Sequence, residues 1–331
     1  MSNTLQARPQ AISQTPNAVV MVRPHRFYSN RETMHDNRFQ VESANDQTAN
    51  IASSAYAEVT HMVMQLGAAG VTVHLFEDTG EHDTPDSVFP NNWFTTHQDG
   101  RLFLYPMRCR NRQREVRQDI LDFLARQYHL HSVTDLRHYG DTGDVLEGTG
   151  SVIFDHQARL AYACLSQRTQ LKPLLALCTA LDYQAHPFQA EMAGAPVYHT
   201  NVMLSVANRF AMVGLDCIPD YHEREKLCRQ LQSTGKEIVN LSPAQIRQFA
   251  GNTLELQGAN RKLLALSSSA LGSLDSNQIA QIEKYADLLV LDVPTIESAG
   301  GSVRCMLAGI HLPAQQNTQP MTEPRAAWQP S

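Results

Sequence analysis

Short apolar stretches recur along the chain in an order that predicts a strand, a second strand, a helix and a third strand. In the clearest example, an apolar stretch at 93–96 is followed by a turn sequence at 97–100 and a second apolar stretch at 102–105. The run 112–128 then carries apolar residues at helical spacing, and a third strand is predicted at 131–136. This segment is therefore predicted to form a ββαβ unit.

The same order repeats in three further units, and a fifth unit is divided between the two ends of the chain. The first strands of the further units are predicted in SVIF from Ser151, VMLSV from Val202 and TLEL from Thr253. The divided unit combines MLAGI from Met306 with VVMVR from Val19, a helix near 51–66 and VTVHLF from Val71. A near-constant period predicts a repeat architecture. We expect an α/β fold in which five units close into a ring without a spare strand.

Residues suited to chemistry occur at the same place in each unit, one to four residues before its first predicted strand. They lie 52 to 55 residues apart and are Asn92, Glu147, His199, Asn252 and Cys305. In a closed ring, five equivalent strand entrances face one axis. A carboxylate, an imidazole and a thiol that are distant in sequence can meet there, so these residues form a candidate active site.

Composition agrees with one large folded body. The chain has 331 residues, of which 42% are hydrophobic and 18% charged, close to average globular usage. Length alone suggests two domains, but the repeat favours one ring. We expect a polar N-terminal extension at 1–17, a single catalytic domain at 18–313 and a loosely ordered tail at 314–331.

Charge and cysteine usage restrict the partners and the compartment. A net charge of −6 gives no general attraction for nucleic acid or an anionic membrane. No transmembrane span or signal peptide is recognised. The six cysteines are scattered without a Cys-x-x-Cys pair, which favours a reducing compartment and a cytoplasmic location. We expect a small-molecule partner, and the sequence leaves the oligomeric state open.

Three other motifs do not support a binding site. His129 and His131 share one face of a predicted strand, as metal ligands do, but no third ligand is suggested nearby, so no metal is expected. The arginine cluster at 108–114 is typical of a solvated helix start, although one member is a candidate ligand. The glycines of segment 143–150 lack the strand–glycine–helix order of a dinucleotide site.

The segment SAGGSVRCMLA at 298–308 resembles the nucleophile segment of the guanidine-modifying superfamily, the penteins. This superfamily includes arginine deiminases, dimethylarginine dimethylaminohydrolases and amidinotransferases. Four further matches follow the family's order: DSVFPNN at 86–92, Glu147-Gly148, LSQRT at 165–169 and His199. The resemblance implies a five-bladed α/β propeller with pseudo-fivefold symmetry and no metal or organic cofactor. It is closest to the arginine-deiminase-related branch that includes citrulline hydrolases.

Chemistry assigns a role to each of three predicted catalytic residues. Attack on a guanidine or ureido carbon needs a soft nucleophile, and a thiolate is the best that a side chain offers, so Cys305 is the expected nucleophile. His199 can protonate the departing nitrogen and then deprotonate water. Glu147 is expected to bind substrate N–H groups and orient the site.

The departure from the family pattern concerns the substrate's reacting group. Two aspartates clamp the cation in guanidinium-processing relatives, and they match Asn92 and Asn201 here, with the register at Asn91 and Asn92 left open. An asparagine offers a neutral donor and a neutral acceptor. That pair suits the N–H groups and the carbonyl of a ureido group, whereas a guanidinium has only donors. The asparagines therefore favour citrulline-like substrates.

The resemblance also implies how the amino-acid end is held. Arg168 and Arg112 match the arginines that bind the substrate carboxylate, a group that suits the guanidinium fork. Asp86 is similar to the acid that meets the substrate ammonium.

The first functional hypothesis is a cysteine-dependent hydrolase that converts citrulline to ornithine, carbon dioxide and ammonia through an S-carbamoyl enzyme. The alternatives are an arginine deiminase or dimethylarginine dimethylaminohydrolase, and an amidinotransferase in which an amine replaces water. A non-catalytic scaffold is disfavoured because Cys305, His199 and Glu147 are all present.

Overall fold

Each of the five units folds as a three-stranded sheet in a mixed α/β protein. The computed structural model describes residues 12–40 and 48–315. The strands are β1 (Ala18–Pro24), β2 (Thr72–Asp78), β3 (Phe94–Thr96), β4 (Arg101–Leu104), β5 (Ser132–Asp135), β6 (Ile153–Asp155), β7 (Leu160–Cys164), β8 (Gln184–Phe188), β9 (Glu191–Met192), β10 (Ala195–Pro196), β11 (Leu204–Val206), β12 (Phe210–Val213), β13 (Glu237–Asn240), β14 (Leu254–Gln257), β15 (Lys262–Ser267), β16 (Asp287–Leu291) and β17 (Ala308–Gly309).

The helices connect these strands in the predicted order. They are α1 (Thr48–Ala68), α2 (Arg110–Gln113), α3 (Gln118–Gln127), α4 (Gly148–Ser151), α5 (Leu171–Leu181), α6 (Tyr221–Ser233), α7 (Pro243–Arg247), α8 (Ser268–Ser273), α9 (Ser276–Glu283) and α10 (Pro294–Glu297). No helix in the described part of the chain is both long and apolar enough to span a membrane.

All five sheets share one topology. The first two strands pair antiparallel and the second and third pair parallel, as in β6-β7-β8 and β14-β15-β16. A parallel pair needs a crossover connection, and a helix supplies it between the second and third strand of every unit. The divided unit is completed in space because β1 lies between β17 and β2.

The core lies between the sheets and the helices that cover them. The longest helix shows how the sequence produces this packing, because Ala55, Val59, Met62 and Leu66 recur at three- and four-residue spacing and all are buried. They pack in one cluster with Val19 and Met21 of β1. The helical period seen in the sequence therefore becomes the buried face of α1.

The predicted run 112–128 is not one helix. It is interrupted between α2 and α3, where Arg117 adopts an extended backbone conformation. The two pieces bury different faces, since α2 turns Arg112 into the interior whereas α3 packs Ile120 and Leu124 into the apolar core. One straight helix would not direct Arg112 to its polar partners and also pack Ile120 and Leu124 into the apolar core.

The prediction of no spare strand is also wrong, because β9 and β10 form an additional two-stranded sheet between β8 and His199. Its turn consists of Ala193 and Gly194, both with positive φ (51° and 72°). A two-residue hairpin loop with positive φ at both central positions is a favoured connection. Alanine rarely adopts this conformation, so the turn was not evident from the sequence.

The segment before β1 packs on the body of the protein. The Gln14 side chain donates to the main-chain oxygens of Phe154 and Val206 at 2.8 and 2.9 Å, and it accepts from the His156 amide at 2.8 Å. It thereby joins the second and third units. The rest of the predicted extension, residues 1–11, and most of the predicted tail, residues 316–331, lie outside the described residues.

A buried ion pair also joins the second and third units. Lys236, directly before β13, lies 3.0 Å from the carboxylate of Asp155 at the end of β6, and their side chains are 2% and 0% exposed. Breaking a buried pair by removing one partner leaves an uncompensated charge, and this is strongly destabilising.

We predict that Lys236→Met lowers the free energy of unfolding by about 3–5 kcal/mol, measured by urea denaturation. Lys284→Met is the control, because Lys284 forms a comparable 3.0 Å pair with Glu237 but its side chain is 53% exposed. That control is expected to cost less than about 1 kcal/mol. Equal losses in the two variants would contradict a special contribution from the buried pair.

Candidate active site

The five periodic residues lie in equivalent connections, each linking the last strand of one unit to the first strand of the next. All five are buried. Four of these connections contain a short helical turn, at Pro90–Asn92, Gly148–Ser151, Thr200–Val202 and Val303–Met306. The sequence pattern had predicted the position of these residues but not the turns that direct their side chains.

Glycines allow neighbouring connections to approach closely. Gly148 has φ of +45°, and a Cβ there would lie 2.3 Å from the main-chain oxygen of Asn91. A Cβ at Gly150 would lie 2.4 Å from the side-chain nitrogen Nδ2 of Asn92 and 2.8 Å from His199 Nδ1. The first three connections therefore meet with no side chain at these two positions.

Glu147 and His199 form a buried pair. Glu147 Oε2 lies 2.8 Å from His199 Nε2, and Oε1 accepts from the Arg108 amide at 3.0 Å. The Arg168 guanidinium lies 3.6 Å from Oε2. Burial alone would raise the Glu147 pKa, but Arg168, His199 and Arg112 together hold this pKa well below its ordinary value. Glu147 is therefore an ionised carboxylate.

The same pair determines the tautomer of His199. Burial lowers the pKa of His199 below its ordinary value, and Glu147 only partly opposes this effect. The imidazole is therefore neutral near pH 7. Because a carboxylate can only accept hydrogen bonds, Nε2 must carry the proton. The Nδ1 lone pair remains as the base, and it borders the space that Gly150 leaves open.

Cys305 receives two amide donors. Asn201 Nδ2 and Asn252 Nδ2 each lie 3.3 Å from Sγ. The Oδ1 atoms of both asparagines are buried and have no hydrogen-bond partner. Two neutral amides thus donate to the sulfur, and their two oxygen atoms are available to accept hydrogen bonds from a ligand.

Asn92 is placed differently from Asn201. Its Oδ1 accepts from Arg112 at 2.9 Å, and its Nδ2 donates weakly to the main-chain oxygen of Glu147 at 3.4 Å. Arg112 also forms two hydrogen bonds with the Glu115 carboxylate, at 2.8 and 2.9 Å. Each nitrogen of Arg112 thus donates within the protein, so in this structure Arg112 orients Asn92.

Asp86 lies at the other side of Arg112. Its Oδ2 accepts from Asn30 at 2.7 Å and lies 3.7 Å from Arg112 Nε, while Oδ1 is buried without a hydrogen-bond partner. Burial raises the pKa of Asp86, and Arg112 opposes the shift. One carboxylate oxygen is therefore available to a donor such as an ammonium group.

Arg168 is bound by an acid from a distant part of the chain. Its Nε donates to Asp36 at 3.0 Å, and its NH2 group makes a second, short contact with the same carboxylate. The guanidinium also lies 5.2 Å from the centre of the Tyr198 ring. Nothing in the sequence linked Asp36 to this arginine.

No metal site accompanies these residues. In the ranges 12–40 and 48–315, no group of three or more His, Cys, Asp or Glu side chains is arranged to hold an ion. The site residues are donors, acceptors and one thiol, and they are suited to covalent and proton-transfer chemistry.

A family model described as N,N dimethylarginine dimethylhydrolase, eukaryotic, matches residues 23–312. The chain belongs to this family. No curated protein matches the chain in sequence. The match to the family model confirms the resemblance to the guanidine-modifying superfamily. The family is one of enzymes that act on guanidino C–N bonds.

Solved structures of such enzymes share the fold. The N-terminal domain of ArgZ bound to substrate, an arginine dihydrolase from the ornithine–ammonia cycle in cyanobacteria, has a TM-score of 0.69 and 15% identity over 89% of this chain and 98% of the domain. AgrE in complex with L-arginine has a TM-score of 0.70 and 16% identity over 90% of this chain and 41% of AgrE. A dimethylarginine dimethylaminohydrolase adduct with S-methyl-L-thiocitrulline has a TM-score of 0.62 and 12% identity over 89% and 100%.

In this family member, the residues that sequence reasoning missed are the partners that hold the predicted ones. Of these, Glu115 could have been found from the sequence, because it follows Arg112 by three residues in the run predicted as a helix, a spacing at which helical charges pair. Asp36 and Asn30 come from the loop after β1. No spacing pattern connects that loop to the repeat.

We predict that Gly148→Ala lowers the free energy of unfolding by clearly more than Gly143→Ala. Both glycines have positive φ, so both substitutions carry a backbone cost of about 1–2 kcal/mol, but a Cβ has nothing within 4 Å at Gly143 and meets the Asn91 main chain at Gly148. Urea denaturation of the two variants provides the comparison. Similar losses would show that the connections separate easily.

Proposed function

We propose that this protein is a cysteine-dependent hydrolase of a ureido amino acid, with citrulline as substrate and ornithine, carbon dioxide and ammonia as products. The observation that carries the proposal is the neutral amide of Asn201 beside Cys305, with its Oδ1 buried and unpaired. The proposal includes a ring of five units with pseudo-fivefold symmetry, in which Cys305 lies close to the symmetry axis.

The charge balance around the thiol supports a neutral reacting group. A buried guanidinium needs a counter-charge. Glu147 is the carboxylate at the strand entrances, and it already faces Arg168 and His199. Asn201 offers no charge. A ureido group is neutral, and its N–H groups can donate to Asn201 Oδ1 without a desolvation cost for an unpaired ion.

The reaction follows from the neutral state of His199. Its imidazole takes the thiol proton, and the Cys305 thiolate attacks the ureido carbon to form a C–S bond and an oxyanion. When the adduct collapses, the bond to the side-chain nitrogen breaks and the imidazolium gives its proton to the departing ornithine amine. An S-carbamoyl enzyme remains.

Water completes the cycle. His199 removes a proton from water as the water oxygen attacks the S-carbamoyl carbon, and the C–S bond then breaks. The thiolate regains its proton from the imidazolium. The released carbamic acid decomposes to ammonia and carbon dioxide. Throughout both halves, ionised Glu147 keeps the proton of His199 on Nε2 and stabilises the imidazolium.

The amino-acid end is assigned to charged groups around this centre. We place the substrate carboxylate on Arg168 and the ammonium on the free oxygen of Asp86. Arg112, a further expected carboxylate ligand, keeps Asn92 oriented through its bond to Oδ1.

The second candidate function is hydrolysis of a guanidino amino acid. Similarity of the fold to ArgZ, an arginine dihydrolase, and to a dimethylarginine dimethylaminohydrolase supports it, as does the family model. In that case Glu147 would be the counter-charge of the guanidinium. An amidinotransferase, the third alternative, would use the same covalent step with an amine in place of water.

We predict that the purified protein releases ornithine and ammonia from citrulline, and that kcat/KM for citrulline exceeds that for arginine by at least about 10²-fold because a guanidinium would be desolvated without its counter-charge. Asn201→Asp is expected to weaken citrulline turnover and raise the relative binding of arginine. Asn240→Asp, an exposed change in the same unit, is the control, and Cys305→Ser is the blank.

Three outcomes would contradict the assignment. Ornithine released efficiently from arginine would indicate an arginine dihydrolase, and citrulline released from arginine would indicate a deiminase. If Asn201→Asp leaves the ratio between the two substrates unchanged, the polarity of Asn201 does not select the substrate.

We also predict that Asp36→Asn lowers KM for citrulline by about tenfold, because the Asp36 carboxylate competes with the substrate carboxylate for Arg168, and a hydrogen bond to a charged group contributes about 1.5–3 kcal/mol. Steady-state kinetics measure the change. Glu32→Gln is the control, since Glu32 belongs to the same loop but accepts from the Asn111 amide. A higher KM in Asp36→Asn would mean that Asp36 orders Arg168 for the substrate.

A further inference from the structure

Asn252 comes from the fourth unit, and the expected chemistry gave it no role. It lies in the connection between α7 and β14, and its main-chain amide donates to Phe249 O at 2.8 Å. The preceding Gly251 lies against the third unit, where a Cβ would be 2.5 Å from Val202 O and 2.9 Å from Met203 Cα. This close backbone approach brings the Asn252 side chain to the thiol of Cys305.

The orientation of the Asn252 amide follows from its partners. Its Nδ2 donates to the main-chain oxygen of Asn201 at 3.0 Å and to Cys305 Sγ at 3.3 Å. A main-chain carbonyl can only accept a hydrogen bond, so the end of the amide that faces it must be the NH2 group. The same NH2 group has a second hydrogen, which is directed at the sulfur.

We propose that Asn252 is a catalytic residue that, together with Asn201, stabilises the negative charge on the sulfur of Cys305 when the thiolate forms, by donating two N–H hydrogen bonds to it. The proposal rests on the assignment of Cys305 as the nucleophile of the proposed function. It adds a residue from a fourth strand entrance to the Cys–His–Glu set.

The reaction uses a sulfur anion twice, which is why paired donors at Sγ matter. The thiolate attacks the ureido carbon in the first half and leaves the S-carbamoyl carbon in the second half. N–H donors fixed in advance stabilise charge where it develops and need no reorganisation during the reaction. The two donors come from rigid connections in different units, so their geometry is set by the fold.

The acceptor end of the amide adds a contact to the substrate. Asn252 Oδ1 is buried without a partner, as is Asn201 Oδ1. An unpaired buried acceptor is costly, and a ureido N–H group beside the attacked carbon would satisfy it. One side chain therefore serves both the nucleophile and the group that it attacks.

Other titratable groups near the thiol stay the same when Asn252 is replaced. Tyr198 and Arg304 interact electrostatically with Cys305. Glu147 and His199 lie at the strand entrances of the second and third units and contact each other. Arg168 lies 3.6 Å from the Glu147 carboxylate. A change in thiol ionisation in an Asn252 variant would therefore report the amide contact.

The test is the rate of alkylation of Cys305 by iodoacetamide as a function of pH, which needs no substrate. Mass spectrometry of the Cys305 peptide isolates this thiol from the other five, and Cys305→Ser is the blank. Asn252→Ala removes the donor, and Asn252→Asp keeps the size but removes the donor and adds a like charge. Asn277→Ala, an exposed change in the same unit, is the matched control.

The midpoint of the pH profile is expected to rise by about one unit in Asn252→Ala, with alkylation about tenfold slower below the midpoint. A larger rise is expected in Asn252→Asp and none in Asn277→Ala. Circular dichroism establishes that each variant is folded, and if Asn252→Ala is not, Asn252→Leu, which is close in size and has neither a donor nor a charge, decides the result. An unchanged midpoint in a folded Asn252 variant would overturn the proposal.

The same experiment separates this inference from the proposed function. A shifted alkylation profile together with absent citrulline turnover would support the role of Asn252 and overturn citrulline as the substrate. Citrulline turnover together with an unchanged alkylation profile would support citrulline as the substrate and overturn the role of Asn252. If Cys305 of the unmodified protein is not alkylated at any pH, both the nucleophile assignment and the role of Asn252 are overturned.

Discussion

The buried carboxylate of Glu147 is the constraint on which the rest of the site depends. A carboxylate removed from water is stable only when charges and donors surround it. Here these are the guanidinium of Arg168, the imidazole of His199 and the amide of Arg108. Two of these contacts have a second effect. Glu147 fixes which nitrogen of His199 carries the proton, and it helps to retain Arg168, whose remaining donors bind Asp36.

The repeat contributes to this network because connections from different units contact one another, as Glu147 contacts His199 and as Asn201 and Asn252 contact Cys305. The side chains differ from unit to unit, whereas the geometry is shared. Glycines at 148 and 251 let neighbouring connections touch through their main chains. A rigid frame of this kind holds donors at the thiol within hydrogen-bonding distance without help from a flexible loop. The side chains at equivalent positions thus differ in chemical type, while the sheets that carry them share one topology.

Much of this arrangement could be predicted from the sequence, because the period appears directly in the order of apolar stretches. The first strands of all five units lie close to their predicted positions, and family membership is confirmed by the match over 23–312. The period also identified Asn252, but spacing alone does not show that its amide faces sulfur.

The features that escaped prediction depend on conformations or contacts that leave no pattern. The additional hairpin needs Ala193 at positive φ, which residue type does not suggest. The break before α3 reflects two faces with different surroundings. The contact between Asp36 and Arg168 joins residues that are distant in sequence, and only the folded loop brings them together.

The division of one unit between distant parts of the sequence ties the position of Cys305 to a strand far from it in the chain. Cys305 lies just before β17, and β17 pairs antiparallel with β1, with Val20 opposite Ala308. Because β17 has two residues, its pairing with β1 is what anchors this end of the unit in the sheet. A substitution that loosens β1 therefore also loosens the segment that carries the thiol.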